Sequence, residues 1–215
     1  MASFTLIIGN KNYSSWSLRA WLTLKQAGLD FDEVRVPLDL PDTHARIMHY
    51  SPSGKVPALR HGDLTIWESL AICEYIAELF PDRRLYPQAL GARAIARSVS
   101  AEMHAGFAPL RHHLPMDCRA RLPKQGMAPG VQDNIDRITA IWRDCRQRFG
   151  ADGNLLFGHF TIADAMFAPV VSRFITYGVP LDPIAQAYVE AIWTLPAMQD
   201  WVAAAEAEVE QISQG

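Results

Sequence analysis

The stretch S-P-S-G-K-V-P-A-L, from Ser51 to Leu59, followed by W-E-S-L-A-I-C-E-Y-I, from Trp67 to Ile76, constrains this chain more than any other. Pro57 has no N–H to give to a β-ladder, so it must stand at the entrance of a strand and not inside one. Behind it, Ala58-Leu59-Arg60 and Leu64-Thr65-Ile66 flank His61-Gly62-Asp63, which reads as a tight hairpin. Cys73, Ile76, Ala77 and Phe80 then fall at i, i+3, i+4 and i+7. That is the stripe of an amphipathic helix beginning near Glu68 and ending before Pro81.

Upstream, Phe4 to Ile8 is a short β-prone run closed by Gly9-Asn10, and Ser14 to Ala27 carries helix formers with Leu18, Trp21 and Leu22 on one face. Gly28 supplies the stop. A second strand fits Phe31 to Val36, halted by Pro37. The order is therefore β-α-β, an irregular segment, then β-β-α. P-D-R-R-L-Y-P, from Pro81 to Pro87, is charged and bracketed by prolines, and reads as a linker.

Everything beyond the linker reads as helical. Ile95, Val99 and Met103 recur every four residues, with Pro109 expected to bend or end that helix. Leu122 to Gly130 is a Pro/Gly-rich loop. Val131, Ile135, Ile138, Trp142, Cys145 and Phe149 mark a long helix, Thr161-Ile162-Ala163-Asp164 opens another as a capping box, and Trp201, Ala205, Val209 and Ile212 suggest a last one. The expected organisation is residues 1–80, a linker at 81–88, and a helical part at 89–215.

Several function classes are excluded. The formal charge of −3 is carried with Lys and Arg scattered singly, which gives no footprint for nucleic acid. No apolar run approaches the ~20 residues that cross a bilayer, and the first residues lack a basic leader, so the expectation is a cytoplasmic protein off the membrane. Cys73, Cys118 and Cys145 form neither a disulfide framework nor a zinc pattern. S-G-K lacks the rest of a P-loop, there is no G-x-S-x-G elbow, and no metal is expected.

The order β-α-β-loop-Pro-β-β-α resembles the thioredoxin-like fold, in which the proline at this point is cis. With E-S opening the next helix, the P-x-x-x-L-Y-P linker and the helical remainder carrying T-I-A-D, nearly the whole chain resembles the cytosolic glutathione S-transferase superfamily. The fold implied is an α/β thioredoxin-like N-terminal domain followed by an all-α helical C-terminal domain. Y-S-S-W-S-L-R is similar to the serine-rich start of zeta-class enzymes, and Ser100 to Arg111 to their fourth helix, although the cysteine that the zeta pattern has beside its serine pair is here either deleted or replaced by Trp16.

The resemblance implies glutathione as co-substrate and a small electrophile as its partner. At a thiol pKa of ~8.5 only a few per cent of glutathione is thiolate at neutral pH. Lowering that pKa by ~2 units requires ~2.7 kcal/mol, within reach of one hydrogen bond to the anion at ~1.5–3 kcal/mol and a helix N-terminus. Ser15 and Ser14 are the candidate donors, with Ser15 preferred and the other serving as N-cap; Tyr13 is the outside candidate. Val56, ahead of Pro57, would pair its backbone with the tripeptide as an added strand does. Glu68 and Ser69 would hold the γ-glutamyl end, Lys55 the glycine carboxylate, and His104 glutathione or the second substrate. Tyr13, Trp16, Met103, Phe107 and Met116 are candidates for an apolar second-substrate pocket.

The first helix lacks the cysteine of the disulfide-reducing members, so conjugation, isomerisation or peroxide chemistry is expected. Two rival readings are a zeta-like isomerase of the maleylacetoacetate type and a non-catalytic binding module. The resemblance further implies a homodimer.

Overall fold

The computed structural model describes residues 3–212, so the outer ends of the two expected parts, residues 1–2 and 213–215, lie outside the described residues. Strand β1 (Phe4–Ile8) pairs in parallel with β2 (Phe31–Arg35) and antiparallel with β3 (Ala58–His61), which pairs antiparallel with β4 (Leu64–Trp67). The sheet order is β2-β1-β3-β4. F-T-L-I-I reads as a nearly continuous apolar run because β1 is covered on both faces. Phe4, Leu6 and Ile8 join the main core with Leu18 and Leu22 of α1 (Ser15–Gln26) and Ile72 and Ile76 of α3 (Ser69–Leu79), while Ile7 packs with Val36, Ile47 and Ala58 on the other side.

Local signals set the ends of α1. Gly28, at φ 67°, takes the left-handed position, its N–H bonding the Lys25 carbonyl at 3.0 Å while Leu29 N–H reaches Leu24 at 3.1 Å. This is the double bond of a Schellman stop, which favours glycine there. The Val56-Pro57 bond is cis, as the thioredoxin-like reading expects.

The segment expected to be irregular contains α2 (Thr43–Met48). It escaped periodicity because it is short and buries only Ile47. The linker opens with one 3-10 turn at Pro81–Arg83.

The helical part runs α4 (Leu90–Ala105), α5 (Ala108–His113), α6 (Val131–Phe149), α7 (Ile162–Tyr177), α8 (Pro183–Trp193) and α9 (Pro196–Glu206). Pro109 does not bend α4. That helix has already stopped at Gly106, and Pro109 lies in the first turn of α5, where a missing N–H costs nothing. α8 was not read from the sequence, although Asp182-Pro183 is a start signal; the Asp182 carboxylate caps it by accepting from the N–H groups of Ile184 and Ala185 at 2.9 and 3.1 Å.

The last helix ends at Glu206, so Val209 and Ile212 do not extend it. The tail instead turns back: the Glu208 carboxylate accepts from the backbone N–H groups of Lys11 and Asn12 at 2.7 and 3.0 Å, and Arg119 donates to the carbonyls of Glu208 and Glu210. These bonds replace the helical ones and tie the loop ahead of α1 to the C-terminal segment.

α7 is buried along nearly its whole length and packs against α1, α4 and α8. Its start is fixed by the capping pair read from the sequence: Asp164 accepts from Thr161 N–H at 2.8 Å, from the Thr161 hydroxyl at 2.9 Å, and from Leu156 N–H at 3.1 Å. One hydrophobic cluster runs from the sheet through α1 and α7 to α9. The N-terminus of α1 is thereby held against the helical part.

Candidate functional site

Two adjoining cavities meet at the start of α1. The larger, about 680 Å³, is lined by Tyr13, Ser14, Ser15 and Trp16, by Gly54, Lys55 and Val56, and by Arg111, Pro115, Met116, Arg173 and Ile212 among others. The smaller, about 250 Å³, is lined by Trp16, Lys55, Val56, Pro57, Glu68 and Ser69. Trp16, Lys55 and Val56 border both.

The two serines have different roles in the local bonding. Ser14 is the N-cap residue by position, with φ −81° and ψ 83°, but its hydroxyl caps no helical N–H. It donates instead to Ser17 Oγ at 2.7 Å, and Ser17 Oγ also accepts from Gly9 N–H at 3.1 Å. The hydrogen of Ser14 is thus spent on a buried link between strand β1 and α1. Ser15, the first residue of α1, lines the larger cavity, and its hydroxyl has no hydrogen-bond partner among the described residues. It sits where the orphan N–H groups and positive end of the helix lie. Tyr13 also faces this cavity, its hydroxyl accepting from Arg119 at 2.9 Å.

The smaller cavity has the features of a peptide clamp. The backbone N–H and C=O of Val56 are unpartnered among the described residues. Glu68 holds φ 70° and ψ 124°, a left-handed conformation that costs a non-glycine residue ~1–3 kcal/mol. Ser69 follows as the first residue of α3, its side-chain oxygen buried without a partner. An anion at this helix start would meet a hydroxyl and free N–H groups together. Lys55 is exposed at the rim.

His104, on α4, contacts this region from the helical part. Its Nε2 lies 3.8 Å from Glu68 Oε2, and its ring meets Trp16 edge-on at 5.3 Å between centroids. Burial holds its pKa below the ordinary 6.5, Arg19 and Arg111 push it further down, and Glu68 opposes them. The imidazole is neutral at physiological pH.

Of the residues expected in the site, Tyr13, Ser14, Ser15, Trp16, Lys55, Val56, Pro57, Glu68 and Ser69 are brought together, with His104 alongside. Met116 lines the larger cavity. Met103 and Phe107 line neither: they are 1% and 8% exposed and belong to the main core. The four-residue spacing of Ile95, Val99 and Met103 is the inward face of α4, which packs on α7. Arg111 and Arg173 were missed. A lone arginine carries no signal in sequence, and only the packing of α5 against α7 brings these two together.

Comparison with known proteins now bears on this geometry. Residues 13–79 match the family model of the glutathione S-transferase N-terminal domain, and residues 119–204 that of the glutathione S-transferase C-terminal domain. A probable maleylacetoacetate isomerase of Caenorhabditis elegans is 30% identical over 173 residues, covering 79% of this chain and 78% of that protein. The chain belongs to the glutathione S-transferase family. Glutathione S-transferase F6 of Arabidopsis thaliana is 28% identical over 198 residues, covering 86% of this chain and 93% of that protein. A glutathione transferase homologue from Burkholderia gl BGR1, solved with bound glutathione, superposes with a TM-score of 0.73 at 27% identity, covering 96% of this chain and all of that one. The thioredoxin-like sheet, the helical remainder and the assignment as a glutathione transferase enzyme accordingly stand. Among the described residues of this transferase, no helix is long and apolar enough to cross a membrane.

Proposed function

We propose that this transferase binds glutathione along the smaller cavity and presents its sulfur to Ser15. The observation that carries the reading is the division between the serines: the Ser14 hydroxyl is committed to Ser17, while the Ser15 hydroxyl is free at the cavity and at a helix N-terminus. A hydrogen bond to the thiolate contributes ~1.5–3 kcal/mol and the helix end ~0.3–1 kcal/mol. Their sum meets the ~2.7 kcal/mol that a two-unit depression of the thiol pKa requires.

In this reading Val56 pairs its backbone with the cysteinyl unit, and Ser69 with the α3 N-terminus receives the γ-glutamyl carboxylate. Glu68 faces the γ-glutamyl ammonium and Lys55 the glycine carboxylate. Tyr13, Trp16 and Met116 border the electrophile in the larger cavity, and the thiolate attacks it there. The enzyme then works as a cytoplasmic homodimer on small electrophiles. Glutathione-dependent isomerisation is a second reading, favoured by the identity to a probable maleylacetoacetate isomerase. It is tested by assaying cis-trans conversion of a maleyl substrate beside conjugation. The test of the main reading is an ultraviolet titration of the protein with glutathione at neutral pH. A thiolate absorption that saturates with the tripeptide is expected, and its absence at saturation defeats the proposal.

A further inference from the structure

Arg19 and Arg111 flank Trp16, and Arg173 lines the same cavity, without a counter-ion among the described residues. The guanidinium carbons of Arg19 and Arg111 lie 4.3 and 5.3 Å from the Trp16 ring centroid. Arg173, on α7, donates through Nη1 to the backbone carbonyls of Leu114 and Arg111. Arg19 is 2% exposed and Arg173 5% exposed. Among the described residues, no carboxylate forms an ion pair with any of the three; the nearby Glu68 is in contact with His104 instead.

Other sources of negative charge are also closed. Burial pushes the Cys73 thiol beside Arg19 up to about 12 and the Cys118 thiol near Arg173 up to about 11, and raises the Tyr177 phenol as well. All three are neutral at physiological pH. Burial, reinforced by the other arginines, lowers Arg19 to about 9 and Arg173 to about 10, which leaves both protonated. Uncompensated buried cations are costly, so such a cluster persists where something outside the chain supplies the charge.

The unused donors fix what that something is. A guanidinium offers five N–H groups in a planar fork. Arg111 spends Nη1 on the His104 carbonyl at 3.0 Å, and its remaining nitrogens bond nothing among the described residues. The Arg19 guanidinium bonds nothing among the described residues, and its Nε and Nη1 are buried without partners. Arg111 and Arg173 line the larger cavity and not the smaller one. The two carboxylates of glutathione belong, in the reading above, to Ser69 and Lys55 in the smaller cavity. They leave the arginines unmatched.

We propose that the electrophile of this transferase carries a carboxylate, held by Arg111 in the field of Arg173 and Arg19 while its apolar body lies along Trp16. A carboxylate matches the fork of Arg111 in shape and charge, and the low-dielectric wall strengthens the pair. The inference rests on reading the larger cavity as the second-substrate site.

Two matched pairs of probes test it. Binding of 4-nitrobenzoate and 4-nitrobenzamide is measured by calorimetry without glutathione, and conjugation of 4-chloro-3-nitrobenzoate and 4-chloro-3-nitrobenzamide with it; there the thiolate forms the C–S bond and chloride leaves. The wild type is expected to bind the carboxylate about 10-fold or more tightly than the amide. Its kcat/KM ratio of carboxylate to amide should fall about 10- to 100-fold in Arg111→Gln, with partial recovery in Arg111→Lys. Taking ratios cancels intrinsic ring reactivity and any general loss in the variant. Equal binding of the two nitro probes overturns the proposal, as does a ratio untouched by Arg111→Gln. So does a variant that raises only the pKa of bound glutathione, since the arginines would then serve the thiolate. Carboxylate preference without any turnover upholds the anion site and defeats the glutathione reading. Turnover without preference does the reverse.

Discussion

Replacing Asp164 by alanine probes the joint that fixes the start of α7, the helix that carries Arg173, to the segment just ahead of it. The carboxylate is fully buried and accepts from two backbone N–H groups, those of Thr161 and Leu156, and from the Thr161 hydroxyl. Alanine strands both N–H groups in the interior at ~1–3 kcal/mol each, while the hydroxyl can turn elsewhere. The expected loss is therefore about 2–6 kcal/mol at pH 7, a large share of the ~5–15 kcal/mol that domains possess. The loss is also pH-dependent. Burial, only partly offset by the hydrogen bonds the carboxylate accepts, pushes Asp164 up from 3.8 to about 6. Because the folded pKa is the raised one, the stabilisation is fully present below 3.8 and is lost as pH rises through about 6, by ~3 kcal/mol in total. The gap between wild type and variant should accordingly widen on going from pH 7 to pH 4. Urea unfolding at both pH values, with unchanged m, measures it. A gap under about 1 kcal/mol at pH 7, or one that does not widen in acid, refutes the reasoning.

Two further outcomes follow from the site's wiring. The His104 ring, followed by NMR, should titrate below 6.5; Glu68→Gln should lower its pKa further and Arg111→Gln raise it, since Glu68 favours the imidazolium and Arg111 opposes it. A pKa that moves the other way in either variant contradicts the assigned surroundings. Glu208→Ala removes the acceptor of the Lys11 and Asn12 N–H groups, which hold the loop just ahead of Ser14. Thermal unfolding should show a loss of ~1–2 kcal/mol, accompanied by a raised KM for glutathione; an unaltered KM would mean that the tail does not position the loop.

Much of the fold was legible because it is written in local chemistry. Gly28 could end α1, Pro57 could only precede a strand, and Thr161 with Asp164 announced α7. α2 left no trace because six residues with one buried side chain make no period, and the tail after Glu206 departs from its apolar spacing because Glu208 finds better partners across the chain. The residues proposed here to hold glutathione could be picked out for the same reason as the fold: Ser15, Val56 and Ser69 sit at element boundaries that carry sequence signals. The arginines on the side proposed for the electrophile could not. Arg19 lies on α1, Arg111 on α5 and Arg173, 62 residues beyond Arg111, on α7, and only the packing of these three helices makes them neighbours. Met103 shows the converse, a residue whose helical spacing belongs to the core and not to the cleft.

The central claim is that Ser15, and not Ser14, donates to the glutathione sulfur. Its most direct measurement is the pH titration of thiolate absorbance in the saturated binary complex of wild type, Ser15→Ala and Ser14→Ala. The wild type should titrate ~2 units below the free thiol at ~8.5. Ser15→Ala should raise that pKa by ~1–2 units, the equivalent of one hydrogen bond to an anion, and Ser14→Ala should move it by less than about half of that. A bound thiol whose pKa is unchanged in Ser15→Ala, or raised only in Ser14→Ala, would contradict the account.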